Sequence, residues 1–201
     1  MVKLVENASR DNQIAFANEL SIICDKANIN VWDMIALANK HPRVNILNPG
    51  TGVGGHCIAV DPWFIVSEFP DESPLIKKSR EANNYKTEWV IEKIKNNALT
   101  FKSDHKRDPI IACMGLAFKP DIDDLRESPA LYVTETLENQ NFTVLAIEPN
   151  LKGSDDLNLT DYKEAINKAD IIVYLVAHKE FINLKTNPNK SILDFCGVLK
   201  K

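Results

Sequence analysis

The sequence lacks several features that would point to a particular class of partner. Basic residues are not in excess, because 28 acidic residues outnumber 24 lysines and arginines and leave a formal net charge of -4. A nucleic-acid-binding face is usually basic, and a membrane span requires roughly 18 consecutive apolar residues, of which the sequence has no example. We therefore expect no nucleic-acid partner and no membrane partner. A polyanionic ligand would have to be held by a few local cations.

Cysteine pairs are missing as well. The four cysteines are widely spaced, without a CxxC pair, and no signal peptide is recognised ahead of them. Because zinc sites use closely spaced cysteine and histidine pairs, we expect no metal, and we expect reduced thiols in a cytoplasmic protein. The rest of the composition, with 44% hydrophobic and 26% charged residues, is ordinary for one large or two small globular domains.

The most unusual segment is a glycine-rich run at residues 48–64, NPGTGVGGHCIAVDPWF, which contains Cys57 and Asp61. Its G-x-G-x-x-G pattern matches the dinucleotide fingerprint, which requires a strand before it and a helix after it. We predict neither, because the upstream segment is polar and broken by proline and an Asp-Pro pair interrupts the apolar residues downstream. The run is interpreted instead as a flexible glycine platform that holds a thiol and a carboxylate. The alternative for Cys57 is a small residue buried in a core.

The first half of the chain is predicted to be helical. Apolar residues at helical spacing indicate helices at residues 1–28 and 31–39 and a long helix at 75–101, which would span about 40 Å. The charged segment at 102–108 contains no apolar residue and is taken as a domain boundary. Residues 1–101 are therefore predicted to form a helical domain whose long helix links two domains and packs against a second copy.

Residues 109–201 show a different pattern, in which apolar strands alternate with helices. The predicted strands lie at 109–114, 142–147, 171–176 and 191–195, and the predicted helices at 129–139 and 162–168. Such alternation indicates a parallel sheet with right-handed crossovers, which binds its ligand at the carboxyl ends of the strands.

The segment GLAFKPDIDDLRESPA at 115–130 follows the first of these strands and so should lie at the ligand-binding edge. Lys119 and Arg126 are cations that could hold a diphosphate. Ser128 followed by Pro129 is typical of the start of a helix. An irregular, solvated loop without a ligand remains an equally open interpretation of this segment.

Three motifs together resemble the UDP-glucose/GDP-mannose dehydrogenase family: the glycine-cysteine run, the GLAFK and DDLRESP segments, and KLVEN at residues 3–7. Within that family the run is most similar to members that act on UDP-N-acetyl-D-mannosamine, with UDP-N-acetylglucosamine or UDP-glucose as the alternative substrate. The resemblance covers the family's central and C-terminal domains, whereas its NAD-binding N-terminal domain has no counterpart in this sequence. It implies an α + α/β fold, in which a helical central dimerisation domain precedes a Rossmann-like domain that binds the nucleotide sugar.

The family resemblance also implies a chemistry. Its members oxidise the 6-hydroxyl of a nucleotide sugar to a carboxylate in two hydride transfers to NAD, and a thiolate holds the intermediates as a thiohemiacetal and a thioester. By this resemblance Cys57 is the nucleophile and Asp61 the base that activates water. Lys3 and Asn7, one turn apart on the first helix, would reach the thiol and the developing oxyanion. A solvated helix face is the alternative for these two.

The remaining candidates are substrate and cofactor contacts implied by the same resemblance. Gly54, Gly55 and Lys119 would contact the nucleotide sugar, and Arg43 would cross to the site of a partner subunit in a homodimer formed by the central helices. Arg126 would lie at the seam with the cofactor domain. Without that domain the chain by itself is expected to bind NAD poorly and to lack turnover. A nucleotide-sugar-binding or dimerisation module without catalysis is the other class of function.

Overall fold

The computed structural model describes residues 1–151 and 157–199. In this part of the chain, helices occupy the first half and helices alternate with strands in the second, which confirms the predicted fold class. The helices are α1 Val2–Ala27, α2 Val31–Ala38, α3 Asp61–Glu68, α4 Pro74–His105, α5 Pro129–Asn139 and α6 Tyr162–Lys168. The strands are β1 Ile110–Met114, β2 Thr143–Ile147, β3 Ile171–Tyr174 and β4 Ser191–Asp194, and a 3-10 turn lies at Lys179–Phe181.

The helical half is built around α1 and α4, which pack against each other, with α3 packed on both. Helix α4 has 32 residues and continues to His105, past the predicted end at 101, before Lys106 ends it in a left-handed conformation. The charged segment is therefore mostly helical. The domain ranges 1–101 and 109–201 remain predictions, and residues 152–156 and 200–201 of the second range lie outside the described residues.

Helix α3 corrects the prediction that no helix follows the glycine run. It begins at Asp61 with Pro62 in its first turn. A proline is tolerated there because the first N–H groups of a helix have no partner within it. The Asp-Pro pair therefore begins a helix and does not interrupt one. No strand precedes the glycines within the described residues, so the fingerprint for a dinucleotide still lacks its first element.

The second half contains a four-stranded parallel sheet with the strand order β2-β1-β3-β4. One face is covered by α5 and the C-terminal part of α4, whose Val90, Ile91 and Ile94 are buried in the same core as Ile111 and Val173. Helix α6 and the 3-10 turn cover the other face. Helix α4 thus belongs to both halves and holds them together.

The glycine run meets the carboxyl ends of the strands. Thr51 donates its hydroxyl hydrogen to the carbonyl oxygen of Leu175, just beyond β3, at 2.7 Å. Asn18 of α1 accepts a hydrogen bond from the Gly50 N–H at 2.9 Å. The run is therefore anchored on both halves of the molecule. None of the helices in the described ranges is long and apolar enough to cross a membrane.

Candidate active site

Two helices bring three of the predicted residues together. Lys3 and Asn7 lie one turn apart in α1, and Asp61 is the first residue of α3. Asn7 donates its side-chain N–H to Oδ2 of Asp61 at 2.6 Å, and Nζ of Lys3 lies 3.6 Å from the same oxygen. The Asp61 residue is 7% exposed. The pair from α1 is thus held by a nearly buried carboxylate, whose other oxygen has no hydrogen-bond partner among the described residues.

Cys57 lies in the turn that leads into α3. Its carbonyl oxygen accepts hydrogen bonds from the N–H groups of Val60 at 3.1 Å and Asp61 at 2.7 Å. Its side chain is half-buried, whereas Cys24 and Cys113 are buried. No hydrogen bond joins its thiol to Lys3, Asn7 or Asp61 in the described part of the chain. The thiol is therefore linked to the α1 pair through the Cys57–Asp61 turn.

The glycines before Cys57 are required by contacts with the protein itself. A Cβ on Gly54 would overlap the carbonyl oxygen of Glu127 and would lie 2.8 Å from Phe118 Cβ and Pro129 Cδ. Gly55 has a φ of +82°, which favours glycine, and its N–H donates to the carbonyl oxygen of Arg126 at 3.1 Å. The glycine run therefore packs closely against the loop that follows β1, and we call this contact the seam.

Arg126 lies on the far side of this seam. Its guanidinium grips Asp124 with Nε at 3.0 Å and Nη2 at 2.6 Å from the carboxylate oxygens. These hydrogen bonds lower the pKa of Asp124 to about 2 and raise the pKa of Arg126. Coulomb attraction to the charge of a Cys57 thiolate makes a smaller contribution to the raised pKa of Arg126. Arg126 is therefore an exposed cation that is paired with Asp124 next to the glycine run.

Lys119 lines a cavity of about 300 Å³ between the glycine run and the carboxyl ends of the strands. The cavity lies where ligands bind in open parallel sheets. Its walls include Asn48, Gly50, Ala117, Phe118, Leu175, Ala177 and Gly197. Nζ of Lys119 lies 5.5 Å from the centre of the Phe118 ring, and the side chain is exposed. The ammonium is thus available at the mouth of an otherwise largely apolar cavity.

Arg43 stands apart from these residues. It lies in the exposed segment between α2 and the glycine run. Its backbone N–H donates to Nδ1 of His41 at 3.3 Å, and its guanidinium has no partner within the described residues. A larger cavity of about 630 Å³, lined by Trp63, Arg80 and Tyr132, contains none of the nine candidate residues.

The sequence interpretation missed two buried residues at the carboxyl edge of the sheet. Glu148 follows β2 and His178 follows β3, and Nε2 of His178 lies 3.0 Å from Oε2 of Glu148. Both side chains are fully buried. A polar residue directly after a buried parallel strand is a signal that could have identified Glu148, whereas His178 lies four residues beyond the end of β3 and carries no such signal.

His178 also belongs to a group with Asp121 and Glu180 whose ligand atoms lie within 4.8 Å of one another. A metal ion would need the lone pair of Nδ1, since Nε2 faces Glu148. That lone pair already accepts the backbone N–H of Asp121 at 3.0 Å. We therefore assign no metal to this group.

Comparison with known proteins identifies both halves. Residues 1–85 match the central domain of the UDP-glucose/GDP-mannose dehydrogenase family, and residues 112–201 match the UDP binding domain of that family. The chain is 52% identical to the UDP-N-acetyl-D-mannosamine dehydrogenase of Campylobacter jejuni, over 98% of this chain and 48% of that protein. It is 51% identical to the NDP-N-acetyl-D-galactosaminuronic acid dehydrogenase of Ralstonia nicotianae, over 98% of this chain and 47% of that protein.

A solved structure shares the fold. The UDP-D-ManNAc dehydrogenase of Pyrococcus horikoshii superposes with a TM-score of 0.83 and 34% identity, and the match covers 100% of this chain and 48% of that one. The chain thus spans about half the length of the curated relatives and of the solved structure that it matches.

Proposed function

Because the chain belongs to the UDP-glucose/GDP-mannose dehydrogenase family, we propose that it is the part of a UDP-N-acetyl-D-mannosamine 6-dehydrogenase that carries the catalytic cysteine and binds UDP. The observation that carries this proposal is the convergence of Lys3 and Asn7 on Asp61, at the end of the turn that begins with Cys57. A binding module without chemistry has no need for a nearly buried carboxylate shared by a lysine and an amide beside an accessible thiol.

In this proposal the 300 Å³ cavity holds the nucleotide. Apolar walls suit the faces of a base, while Lys119 at the mouth offers a point charge to a phosphate. Gly54 and Gly55 would contribute backbone close to the sugar, since they lie in the chain between Gly52, which lines the cavity, and Cys57. The nucleotide would extend from the edge of the sheet across the glycine seam towards the thiol.

The thiol of Cys57 provides covalent catalysis. Its sulfur would add to the aldehyde carbon of the half-oxidised sugar, and the new C–S bond would prevent escape of the aldehyde. Lys3 and Asn7 would donate hydrogen bonds to the resulting oxyanion, an effect typically worth about 3 kcal/mol per donor.

Hydrolysis of the thioester would complete the reaction. Asp61 would take a proton from water; the hydroxide oxygen adds to the thioester carbon, the C–S bond breaks, and the thiolate and the carboxylate product are released. Oδ1 of Asp61 suits this role, because both contacts from α1 are made to Oδ2.

NAD would accept the hydrides of both oxidation steps, but the described residues do not fit a dinucleotide. The glycine run has no strand before it, and Phe118, Glu127 and Pro129 occupy the space against its glycines. We therefore propose that NAD is bound mainly by a domain this sequence does not contain, with Arg126 near the seam, and we derive no step through it. The isolated chain should not reduce NAD.

A homodimer through the central helices belongs to the same proposal. Arg43 is exposed and lacks a side-chain partner among the described residues, as expected of a residue that reaches the nucleotide-sugar site of a second copy. A cytoplasmic location is also proposed, because unpaired thiols persist in a reducing compartment.

The identity of the sugar is the most specific part of the proposal. The relatives include an N-acetyl-D-mannosamine enzyme and a galactosaminuronic acid enzyme at 52% and 51% identity, so similarity alone does not separate these sugars. UDP-N-acetylglucosamine and UDP-glucose remain alternatives.

Calorimetry on the 201-residue chain tests the proposal. UDP should bind, UDP-N-acetylmannosamine should bind more tightly than UDP-glucose, and Lys119→Ala should weaken UDP binding by roughly tenfold, the equivalent of about 1.4 kcal/mol. Absence of UDP binding would contradict the proposal. UDP binding with no preference among sugars would favour a nucleotide-binding module.

A further inference from the structure

A buried pair links three strand ends of the sheet. Glu148 follows β2, His178 follows β3, and both contact the segment after β1 that leads to Lys119. Oε2 of Glu148 accepts the N–H groups of Leu116 at 2.8 Å and Ala117 at 2.9 Å. These are the first residues after the Gly115 turn, so the carboxylate holds the start of the Lys119 loop, which we define as residues 115–121.

The end of the same loop is held by the histidine. The Asp121 N–H donates to Nδ1 of His178 at 3.0 Å, which makes Nδ1 an acceptor and places the ring hydrogen on Nε2. Nε2–H then donates to Glu148 at 3.0 Å. The Asp121 carboxylate accepts the N–H of Lys179 at 3.0 Å, which ties the loop to the segment after β3. Both ends of the Lys119 loop are thus connected through one pair of side chains.

The conformation of the loop requires such support. Asp121 has a φ of +60°, which is uncommon for a residue other than glycine. Among the described residues no hydrogen bond or ion pair holds the Lys119 ammonium, which lies 5.5 Å from the centre of the Phe118 ring. The position of its ammonium therefore depends on the two ends of the loop.

The energetics point to a role beyond packing. Burial by itself raises the pKa of Glu148, but hydrogen bonds from His178, Leu116 and Asn150 outweigh burial and lower it. The carboxylate thus stays ionised in a dry environment because its acceptors are satisfied. Apolar residues of similar volume often stabilise a fold as well as buried ionic groups do, so stability alone does not explain a buried carboxylate here.

We propose that Glu148 and His178 are positioning residues that fix the Lys119 loop so that its ammonium meets the diphosphate of the bound nucleotide. This inference rests on the proposed function, because it requires the cavity beside Lys119 to hold a nucleoside diphosphate. Neither residue touches the ligand. They affect ligand binding only through the Lys119 loop, which sets the position of the Lys119 ammonium.

Two histidine variants separate positioning from general stability. His178→Gln places an amide near Nε2 and keeps a donor for Glu148, but it removes the acceptor for the Asp121 N–H. His178→Asn places an oxygen near Nδ1 and keeps that acceptor, but it removes the donor to Glu148. If the hydrogen bond from the Asp121 N–H to residue 178 positions Lys119, His178→Gln should weaken UDP binding by roughly tenfold and His178→Asn by less than roughly threefold.

Uridine and Lys119→Ala make the test specific to the diphosphate. His178→Gln should change uridine binding by less than about twofold, and in the Lys119→Ala background it should have no further effect on UDP binding. Asp170→Asn is the matched control, because Asp170 also accepts hydrogen bonds from a side-chain N–H and a backbone N–H, but at the opposite edge of the sheet. It should leave UDP binding unchanged.

Binding is measured by calorimetry on folded variants of the whole chain. Equal losses for UDP and uridine, or additive losses in the double variant, would overturn the positioning role. Glu148→Gln provides a second variant, and it should also lose affinity for UDP more than for uridine. Absence of UDP binding by the unmodified chain would instead overturn the proposed function, so the two failures are distinguishable.

Discussion

Asn7 donates a hydrogen bond to the Asp61 carboxylate at 2.6 Å although the two residues are 54 positions apart. The bond joins the second turn of α1 to the first residue of α3, and the Asp61 N–H in turn donates to the Cys57 carbonyl at 2.7 Å. A contact between two helices therefore sets the position of the turn that carries the thiol. A change in this contact should therefore alter both the free energy of unfolding and the geometry of the site.

Asn7→Ala should lower the free energy of unfolding by about 1–3 kcal/mol, because it removes a hydrogen bond to a nearly buried carboxylate. Asn7→Asp should cost more at pH 7, since two carboxylates would then meet, and it should recover in acid as one of them takes a proton. Urea denaturation at pH 5 and pH 7 measures both effects. Gln13→Ala on the same helix is the control, because Gln13 is exposed, and equal effects for Asn7→Ala and Gln13→Ala would contradict the prediction.

Gly54→Ala should destabilise the seam between the glycine run and the segment that follows β1, residues 115–130. The added Cβ would collide with the carbonyl oxygen of Glu127 and with Pro129, whose backbone and ring cannot move independently. Overpacking of this kind costs about 1–3 kcal/mol.

Gly50→Ala provides the matched control in the same run. A Cβ at Gly50 would lie 3.9 Å from the oxygen of Gly52 and would meet nothing closer. Its free energy of unfolding should therefore change by less than about 0.5 kcal/mol. Thermal unfolding of both variants measures the difference. Equal stability of Gly54→Ala and Gly50→Ala would contradict the close packing around Gly54.

Lys86 of α4 should make stability depend on pH. It is 2% exposed, its Nζ donates to Ser21 Oγ at 2.8 Å, and it lies 4.0 Å above the Trp89 ring. Burial lowers the pKa of Lys86 from 10.5 to about 7, although the Asp25 charge partly opposes this. Between these two values the unfolded chain binds a proton here that the folded chain does not, so the free energy of unfolding rises with pH. Below about pH 7 both states are protonated and the destabilisation is complete.

Lys86→Met tests this linkage. Relative to this variant, the unmodified chain should gain about 1 kcal/mol of stability per pH unit between roughly pH 7.5 and 9.5, as expected for nearly one proton. Denaturant unfolding at four pH values measures the difference. Lys78→Met on the same helix is the control, since the Lys78 side chain is 77% exposed, and its free energy of unfolding should depend on pH as that of the unmodified chain does. If the free energy of unfolding of Lys86→Met depended on pH in the same way as that of the unmodified chain, the lowered pKa assigned to Lys86 would be contradicted.

Much of the fold was predictable because its signals are local. The strands and the helices α5 and α6 follow apolar runs and caps, and Ser128 caps α5 as expected, with Oγ accepting the Leu131 N–H at 3.4 Å. Helix α3 was missed because an Asp-Pro pair is typical both of a helix start and of a break. The burial of polar residues in α4, such as Arg80 and Lys86, depends on partners in α1 that periodicity does not reveal.

The candidate site was only partly predictable for the same reason. The spacing of Lys3 and Asn7 indicated a shared face, and their meeting with Asp61 follows from the fold. The predicted contact of Gly54 with the nucleotide sugar stays a prediction, and the close approach of Glu127 and Phe118 is a second reason for glycine there that the sequence did not reveal. Glu148 and His178 act through tertiary contacts between strand ends, which no local motif in the sequence encodes.

The most direct test of the account is the alkylation rate of each cysteine in the 201-residue chain, measured by mass spectrometry with and without UDP-N-acetylmannosamine. Cys57 should react fastest, because Cys24 is buried and burial raises the pKa of Cys113 to about 12. Saturating sugar nucleotide should slow Cys57 by at least roughly tenfold, and UDP should slow it less. Cys196, which lines the 300 Å³ cavity proposed to hold the nucleotide, should react more slowly than Cys57 and be protected by both ligands. Uniformly slow labelling, or a Cys57 rate unchanged while Cys196 is protected, would contradict the claim that this thiol receives the substrate.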